Sequence, residues 1–356
     1  MKMHRVGIVG VWHVHAEDYV TELLERPDVE IHGVWDRDEA AAAAFAQSHG
    51  LRTVPEFEEM LQDPSVDAVV VTTATADHVD VITRALEAGK HVFSEKVLAI
   101  DLADAQALQQ TARRARRLLF VSFQRLAEPW VRTLHEVVAS GVLGRIVSTR
   151  FRFQHAGAVD GWLHDGFFSP SEAGGGALID LGVHGFYLSQ LFHSAFPSRV
   201  TCRTAHHTGR GVEDDAVVLL EYPDDSVSVL ETSLSAAPDD ARWASIHGSK
   251  GSAVVSSEDL TVRVRLNDAP HWVAQPSLDP WQRPIAAFLD SIDEGRDGED
   301  NLAQSVRVVA LVSAAYRAAE AAAAIQVSDP VRPIAPFSVR AASCRKREQC
   351  SRVGQC

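Results

Sequence analysis

The sequence predicts an α/β protein: a doubly wound parallel sheet at the N-terminal end, then an α+β domain on an open, mainly antiparallel sheet. Three observations predict it. Over the first 122 residues, short apolar runs alternate with helical patterns, as parallel βαβ units require. Beyond residue 145, strands follow one another with turn signals between them, as antiparallel neighbours do. At 356 residues the chain is also long for a single core. The expected division is 1–122 for the first domain, 123–330 for the second and 331–356 for a flexible tail.

Composition narrows the function classes. Hydrophobic residues make up 46% and charged residues 23%, an ordinary globular balance. The formal net charge of −14 argues against nucleic acid and anionic membrane, since both need a basic footprint. No apolar run approaches a membrane span. The first ten residues run straight into a glycine turn without a small-residue cleavage site, so no signal peptide is expected. Cys344, Cys350 and Cys356 recur every six residues without histidine, in a chain with four cysteines. They read as free thiols rather than as a disulfide framework or a zinc site, and a reducing cytoplasm fits.

In the first domain, residues 5–9 form a short buried strand that Gly10 breaks. A helical pattern spans 16–24, and a second apolar strand, 29–35, ends at Asp36. Strand, glycine turn, helix, strand and acid is the order of a dinucleotide-binding βαβ unit. Asp36 lies about 26 residues beyond Gly10, where an acid meets the adenosine ribose. A carboxylate there accepts from both ribose hydroxyls and repels a 2′-phosphate, favouring NAD; Arg37 next to it could hold that phosphate, so NADP stays open. Laid on G-x-G-x-x-G, the segment Gly10-Val11-Trp12-His13-Val14-His15 keeps only the first glycine, and on these residues alone a non-nucleotide turn stays open. His13 and His15 lack a neighbouring cysteine or carboxylate in sequence, so they read as turn residues rather than metal ligands.

The alternation continues with helices at 40–48 and 56–61 and a strand at 68–72. A polar loop follows, holding Thr73, Ala74 and His78. Next come a helix at 79–88 closed by Gly89, a strand at 91–93 tipped by Ser94-Glu95-Lys96, a helix at 102–117 and a strand at 118–122. Parallel sheets bind ligands at the carboxyl ends of their strands. Gly10, Asp36, Thr73, Glu95, Lys96 and Gln124 all follow strand ends, so they and their neighbours Trp12, His13, Val14, Arg37, Ala74 and His78 are the candidate cofactor contacts. Lys96 reads either as a solvated surface charge or, beside the reacting end of a nucleotide, as a proton donor or acceptor.

The second domain opens with a helix at 125–138, closed by Ser140-Gly141, and a strand at 145–153. Residues 155–172 are irregular and hold Trp162, His164 and Phe167. Such an aromatic, polar loop either closes over a sugar or packs the domain edge. Gly174-Gly175-Gly176 then let the backbone turn ahead of a helix carrying Asp180 and His184. Four residues apart, these stack on one helix face with a rise of roughly 6 Å. A carboxylate that orients an imidazole suits proton transfer; the alternative is a capping or surface pair. Strands at 200–203, 216–221, 226–232, 242–247, 253–256 and 261–265 follow, with a hairpin turn at Pro223-Asp224-Asp225. Helices at 284–294 and 302–324 close the pattern. An open sheet face suggests a homodimer or homotetramer.

Several stretches together resemble the glucose–fructose oxidoreductase/inositol dehydrogenase (Gfo/Idh/MocA) family. They are Ala88-Gly89-Lys90-His91-Val92-Phe93-Ser94-Glu95-Lys96, Ser140-Gly141-Val142-Leu143-Gly144-Arg145-Ile146, residues 174–184, Glu213-Asp214-Asp215-Ala216 and His247-Gly248-Ser249-Lys250-Gly251-Ser252. The resemblance covers about residues 4–326. It implies an N-terminal Rossmann domain, NAD or NADP as cofactor, and oxidation or reduction of sugars and cyclitols. Lys96 matches the lysine of the family's E-K-P motif, and Asp180 and His184 match its D-x-x-x-H segment. On this basis Lys96, Asp180 and His184 are the expected catalytic residues, with His184 as general base oriented by Asp180. Arg125, Trp162 and His164 join them as expected substrate contacts, and no metal is expected. Val97 replaces the motif's proline, Ala74 replaces a loop proline, and Tyr187 stands where many members carry a further aspartate. A redox-neutral glycosidase or eliminase of the same fold and a non-catalytic cofactor-binding sensor are the alternatives.

Overall fold

The computed structural model describes residues 3–236 and 241–331. The expected tail and Cys344, Cys350 and Cys356 lie outside the described residues. The first sheet holds β1 (His4–Val9), β2 (Val29–Trp35), β3 (Ala68–Val71), β4 (His91–Ser94) and β5 (Leu119–Val121) in the order β2-β1-β3-β4-β5, every pair parallel. Its helices are α1 (Ala16–Leu24), α2 (Glu39–Ser48), α3 (Phe57–Gln62), α4 (His78–Glu87) and α5 (Leu102–Ala115). The strands are apolar on both faces because helices cover both: Val6, Ile8, Val69, Val70 and Val92 are all buried. The Asp38 side chain caps α2 by accepting from the amides of Ala40 and Ala41. The chain leaves β1 toward β2 on one side and returns to β3 on the other. That reversal opens a crevice at the carboxyl ends of the strands.

The second domain begins with α6 (Pro129–Ala139), later than the periodicity suggests. Proline has no amide to donate and fits the first helical turn, so Pro129 sets the start, and residues 124–127 form a 3₁₀ turn instead. Next come β6 (Ile146–Gln154), the short α7 (Gly157–Asp160) and α8 (Pro170–Ala173), and a π-helical turn at Leu178–Gly182 that runs into α9 (Val183–Phe192). Then follow β7 (Arg199–Ala205), β8 (Asp215–Glu221), β9 (Val227–Ser233), β10 (Ala241–Gly248), β11 (Gly251–Val255), β12 (Arg263–Leu266) and β13 (Val273–Ala274). After α10 (Pro284–Asp293) and α11 (Glu299–Ala321), β14 (Ile325–Gln326) completes a nine-stranded sheet, β13-β12-β11-β10-β6-β9-β8-β7-β14. The hairpin at 223–225 forms, with Asp225 in the left-handed region at φ 64°. The sheet is antiparallel except at its middle, where β6 and β9 run parallel. Strand patterning alone misses this, because β6 and β9 come together only after the β7–β8–β9 meander returns beside the first strand. Helix α9 packs Phe186 and Leu188 into the core on one face of the sheet. Val147 and Val217 remain exposed.

The division at residue 122 needs one correction. Helices α10 and α11 were expected in the second domain, yet Ile285, Phe288 and Leu289 of α10 bury in the same cluster as Val6, Ile8 and Tyr19. Asn301, near the start of α11, donates to the Val121 carbonyl and accepts from the Val121 amide, at 2.9 and 2.7 Å. It therefore completes the open edge of β5. Because α11 also packs against β7, one helix holds both sheets.

Candidate active site

The glycine run is shaped by close approach. Gly174 has φ 82°, which favours glycine, but its neighbours are constrained by space. A Cβ at Gly176 would lie 1.9 Å from the Glu213 carbonyl oxygen, and one at Gly175 would lie 2.0 Å from the Tyr316 hydroxyl. Glu213 accepts from the amides of Gly176 and Leu178 at 3.0–3.1 Å and from the Tyr316 hydroxyl at 2.8 Å. Amides at the start of a helix have no partner within it, so this buried carboxylate anchors the turn that carries Asp180.

Lys96, at the tip of β4, meets Asp180 across the crevice. Its Nζ donates to Asp180 Oδ1 at 2.6 Å and to the Asp180 carbonyl at 2.8 Å. Burial alone would push the Asp180 carboxyl up, but the Lys96 ammonium and His155 outweigh it and hold the group well below the usual carboxylate range. Around this pair lies a cavity lined by His13, Val14, His15, Arg125, His155, Trp162, Phe167 and His184, drawn from both domains. Lys96, Asp180, His184, Arg125 and Trp162 therefore come together. His164 does not: its Nδ1 accepts from the Gly166 amide and its Nε2 donates to the Trp12 carbonyl. These bonds tie the irregular loop to the turn after β1.

The expected wiring of His184 also needs correction. Asp180 does not orient it, because a carboxylate facing an ammonium makes the stronger, charge-assisted bond. His184 Nδ1 instead lies 2.8 Å from the Tyr187 hydroxyl, and that hydroxyl accepts from the Arg125 amide at 3.1 Å. The phenolic hydrogen then has one acceptor, His184 Nδ1; leaving it unpaired in this buried spot would cost about 1–3 kcal/mol. Burial, with Arg125 and Lys96 nearby, keeps the ring neutral by holding it well below the usual histidine range. With Nδ1 paired to Tyr187, His184 turns the rest of its ring to the cavity that also holds Lys96 and Asp180. The i, i+3 spacing of His184 and Tyr187 could have shown this partnership.

The candidate cofactor contacts ring the crevice. Gly10 adopts φ 86°, and a Cβ there would strike Thr73 at 2.5 Å. Asp36 accepts from the Val11 amide at 2.7 Å and the Asp38 amide at 2.8 Å, one bond per oxygen, so each oxygen retains acceptor capacity for a ribose hydroxyl. Arg37 pairs with Asp77 at 3.0 Å. Thr73 Oγ1 is buried without a partner among the described residues, as a polar atom awaiting a ligand would be, and the buried His78 ring meets the Val97 carbonyl through Nδ1 at 2.8 Å. Ala74 is buried beside them, and Gln124 donates to the Tyr19 hydroxyl at 3.1 Å. These residues fit a dinucleotide. Trp12 differs from the expectation: its indole stacks on Phe167 at 4.4 Å and donates to Glu172 at 3.0 Å, joining the turn after β1 to the second domain's irregular loop.

Buried neutral histidines make the fold acid-sensitive. Burial lowers His13 to about 3 and His193, stacked on Tyr222, to about 4, against an unfolded value near 6.5. Between those values the unfolded chain binds more protons, so stability falls as pH drops below roughly 6.5. A melting temperature lower at pH 5 than at pH 7.5 is expected in thermal denaturation, and equal values would contradict this account.

Residues 4–123 match the oxidoreductase family with an NAD-binding Rossmann fold, GFO_IDH_MocA, and residues 131–254 match the GFO/IDH/MocA C-terminal domain. The 1,5-anhydro-D-fructose reductase of Ensifer adhaerens is 27% identical over 86% of this chain and 96% of its own length. The trans-1,2-dihydrobenzene-1,2-diol dehydrogenase of Bos taurus is 30% identical over 70% of this chain and 73% of its own. Among solved structures, GenD2 from gentamicin A biosynthesis, in complex with NAD, superimposes with a TM-score of 0.80 at 27% identity, covering 92% of this chain and 97% of that one.

Proposed function

The chain belongs to the Gfo/Idh/MocA oxidoreductase family, and from that premise we propose that it transfers a hydride between NAD and a secondary alcohol of a sugar or cyclitol. The observation that carries this reading is the single cavity in which Lys96 from the first domain meets Asp180 and His184 from the second. Gly10, Asp36, Thr73 and His78 would hold the dinucleotide along the strand tips, and bound nicotinamide supplies the hydride acceptor or donor. Lys96 would donate to the reacting oxygen, stabilising charge as it develops there, and His184 meets the same space. Asp180 holds the Lys96 ammonium in place. Arg125 and Trp162 line the same space, and Trp162 offers a ring for a sugar's C–H face.

Asp36 supports NAD over NADP, since its carboxylate faces the ribose position and Arg37 is already engaged by Asp77. Fluorescence titration should show tighter binding of NADH than NADPH, and Asp36→Asn should narrow the ratio by about tenfold. An unchanged ratio would remove Asp36 from selectivity. A cytoplasmic location fits the buried thiol of Cys202, and assembly through the open sheet face fits the exposed Val147 and Val217. No helix among the described residues is long and apolar enough to cross a membrane.

The reaction itself is tested by an NAD- and NADP-coupled screen over sugars and inositols, with product analysis. Formation of NADH with a keto product is expected. An eliminated aglycone without net NADH would instead identify redox-neutral chemistry.

A further inference from the structure

Asp180 has two carboxylate oxygens, and the reading above uses one. Lys96 Nζ donates to Oδ1 at 2.6 Å and to the Asp180 carbonyl at 2.8 Å. An ammonium has three hydrogens, so one is left for the cavity that Lys96 lines. Oδ2 has a different neighbour. His155, directly after β6, brings its Nε2 to 3.8 Å from that oxygen. The hydrogen on His155 can be placed. Its Nδ1 lies 3.1 Å from the Gly157 amide, which can only donate. Nδ1 therefore accepts, and the hydrogen of the neutral ring sits on Nε2, toward Asp180. A Cβ at Gly157 would lie 3.0 Å from that Nδ1, so the missing side chain lets the turn close this far.

This donor and acceptor, 3.8 Å apart, are too distant to bond each other. One oxygen about 2.8 Å from each fits between them, accepting from Nε2 and donating to Oδ2. The pair therefore selects a group that accepts and donates on a single atom. A carbonyl cannot donate, an anion meets the Asp180 charge, and an ammonium meets the Nε2 hydrogen and Lys96. A hydroxyl satisfies both sides. The two side chains line the cavity and stay partly open to it, His155 at 12% and Asp180 at 16%. Trp162, its ring 4.7 Å from the His155 ring, walls the same space. An apolar face beside a donor–acceptor pair matches a sugar ring, which carries C–H and O–H groups together.

We propose that Asp180 Oδ2 and His155 Nε2 form a subsite for the substrate hydroxyl next to the one that reacts, and that His155 is a specificity-determining residue. The proposal rests on the hydride-transfer reading, which puts the reacting oxygen against Lys96. Lys96 and His155 flank the two oxygens of one carboxylate, so the hydroxyls they hold are close neighbours. The substrate is then a ring with hydroxyls on adjacent carbons. The subsite takes no part in the hydride step; it fixes which carbon faces the nicotinamide.

The first test needs no turnover. The probes are cis- and trans-1,2-cyclohexanediol and cyclohexanol, titrated into the cofactor-free protein and followed in long-range ¹H–¹⁵N correlation spectra, with His155 assigned through His155→Gln. His155 should be protonated at Nε2, and that resonance should move with at least one diol. Cyclohexanol should bind about tenfold more weakly and leave it in place. A ring protonated at Nδ1 instead, or equal binding of diols and cyclohexanol to the wild type, would overturn the proposal. These readings come from the wild-type protein, so they hold even where a variant fails to fold. His155→Phe keeps a ring against Trp162 and removes the donor; in it the diol and cyclohexanol should bind within about twofold of each other. The second test uses a substrate from the screen and its two analogues, each lacking one hydroxyl beside the oxidised carbon. One analogue should show a KM about tenfold higher in the wild type, with kcat changed less, and within about twofold of the parent in His155→Phe. A penalty that survives in His155→Phe would give the hydroxyl to another residue and sink the proposal. Diol binding as expected with no sugar or inositol oxidised would fault the hydride-transfer reading and leave the subsite standing.

Discussion

Lys96→Ala is expected to lower kcat/KM on the identified substrate by about 10²–10³-fold, the loss typical of one preorganised donor to a developing oxyanion. It should also destabilise the protein, because Asp180 then remains a largely buried carboxylate without its ammonium. Breaking such a pair from one side costs about 3–5 kcal/mol. The two effects are separable. In Lys96→Met/Asp180→Asn both charges are gone, so the melting temperature should recover toward wild type while activity stays low. Recovery of both would make the pair purely structural; loss of neither in Lys96→Ala would remove Lys96 from the site. A kcat loss with unchanged NADH binding would place the effect on the reacting oxygen rather than on the dinucleotide.

Gly176→Ala carries a comparable expected stability loss from a different cause. Its new methyl would lie 1.9 Å from the Glu213 carbonyl oxygen, a backbone atom that cannot turn aside. Overpacking of this kind costs about 3 kcal/mol or more when backbone must shift. Gly175→Ala meets side chains rather than backbone, the end of Tyr316 and Ile179 Cγ2 at 3.3 Å, and side chains can give way, so it should cost less. Urea denaturation of both variants measures the difference. Equal midpoints would mean that backbone approach does not set the position of this turn. Because Glu213 and this turn position Asp180, Gly176→Ala should lose activity even where it remains folded.

The first sheet was legible because parallel strands are apolar on both faces and each is followed by a helix, so period and order speak together. Lys96, Asp180 and His184 were legible as residues, through their spacing and the motifs around them. Their wiring was not. The i, i+4 stacking of Asp180 and His184 is a local rule, and a charge arriving 84 residues earlier in the chain overrode it. His15 was visible only as half of a histidine pair, since its partner Glu95 joins it through the sheet at a separation of 80 residues. The parallel pairing of β6 with β9 and the return of α10 to the first sheet were hidden for the same reason: both are decided by which surfaces remain uncovered, and no short window of sequence records that.

Trp12 occupies a position where a glycine would leave bare backbone, and its ring is gripped by Phe167 and Glu172. The turn after β1 and the loop before α8 are thereby one mechanical unit. A residue that touches no strand tip, such as Phe167, gains leverage over the amides that would greet a pyrophosphate. Strain introduced at either end of the indole would reach the other through the stack on Phe167 and the bond to Glu172.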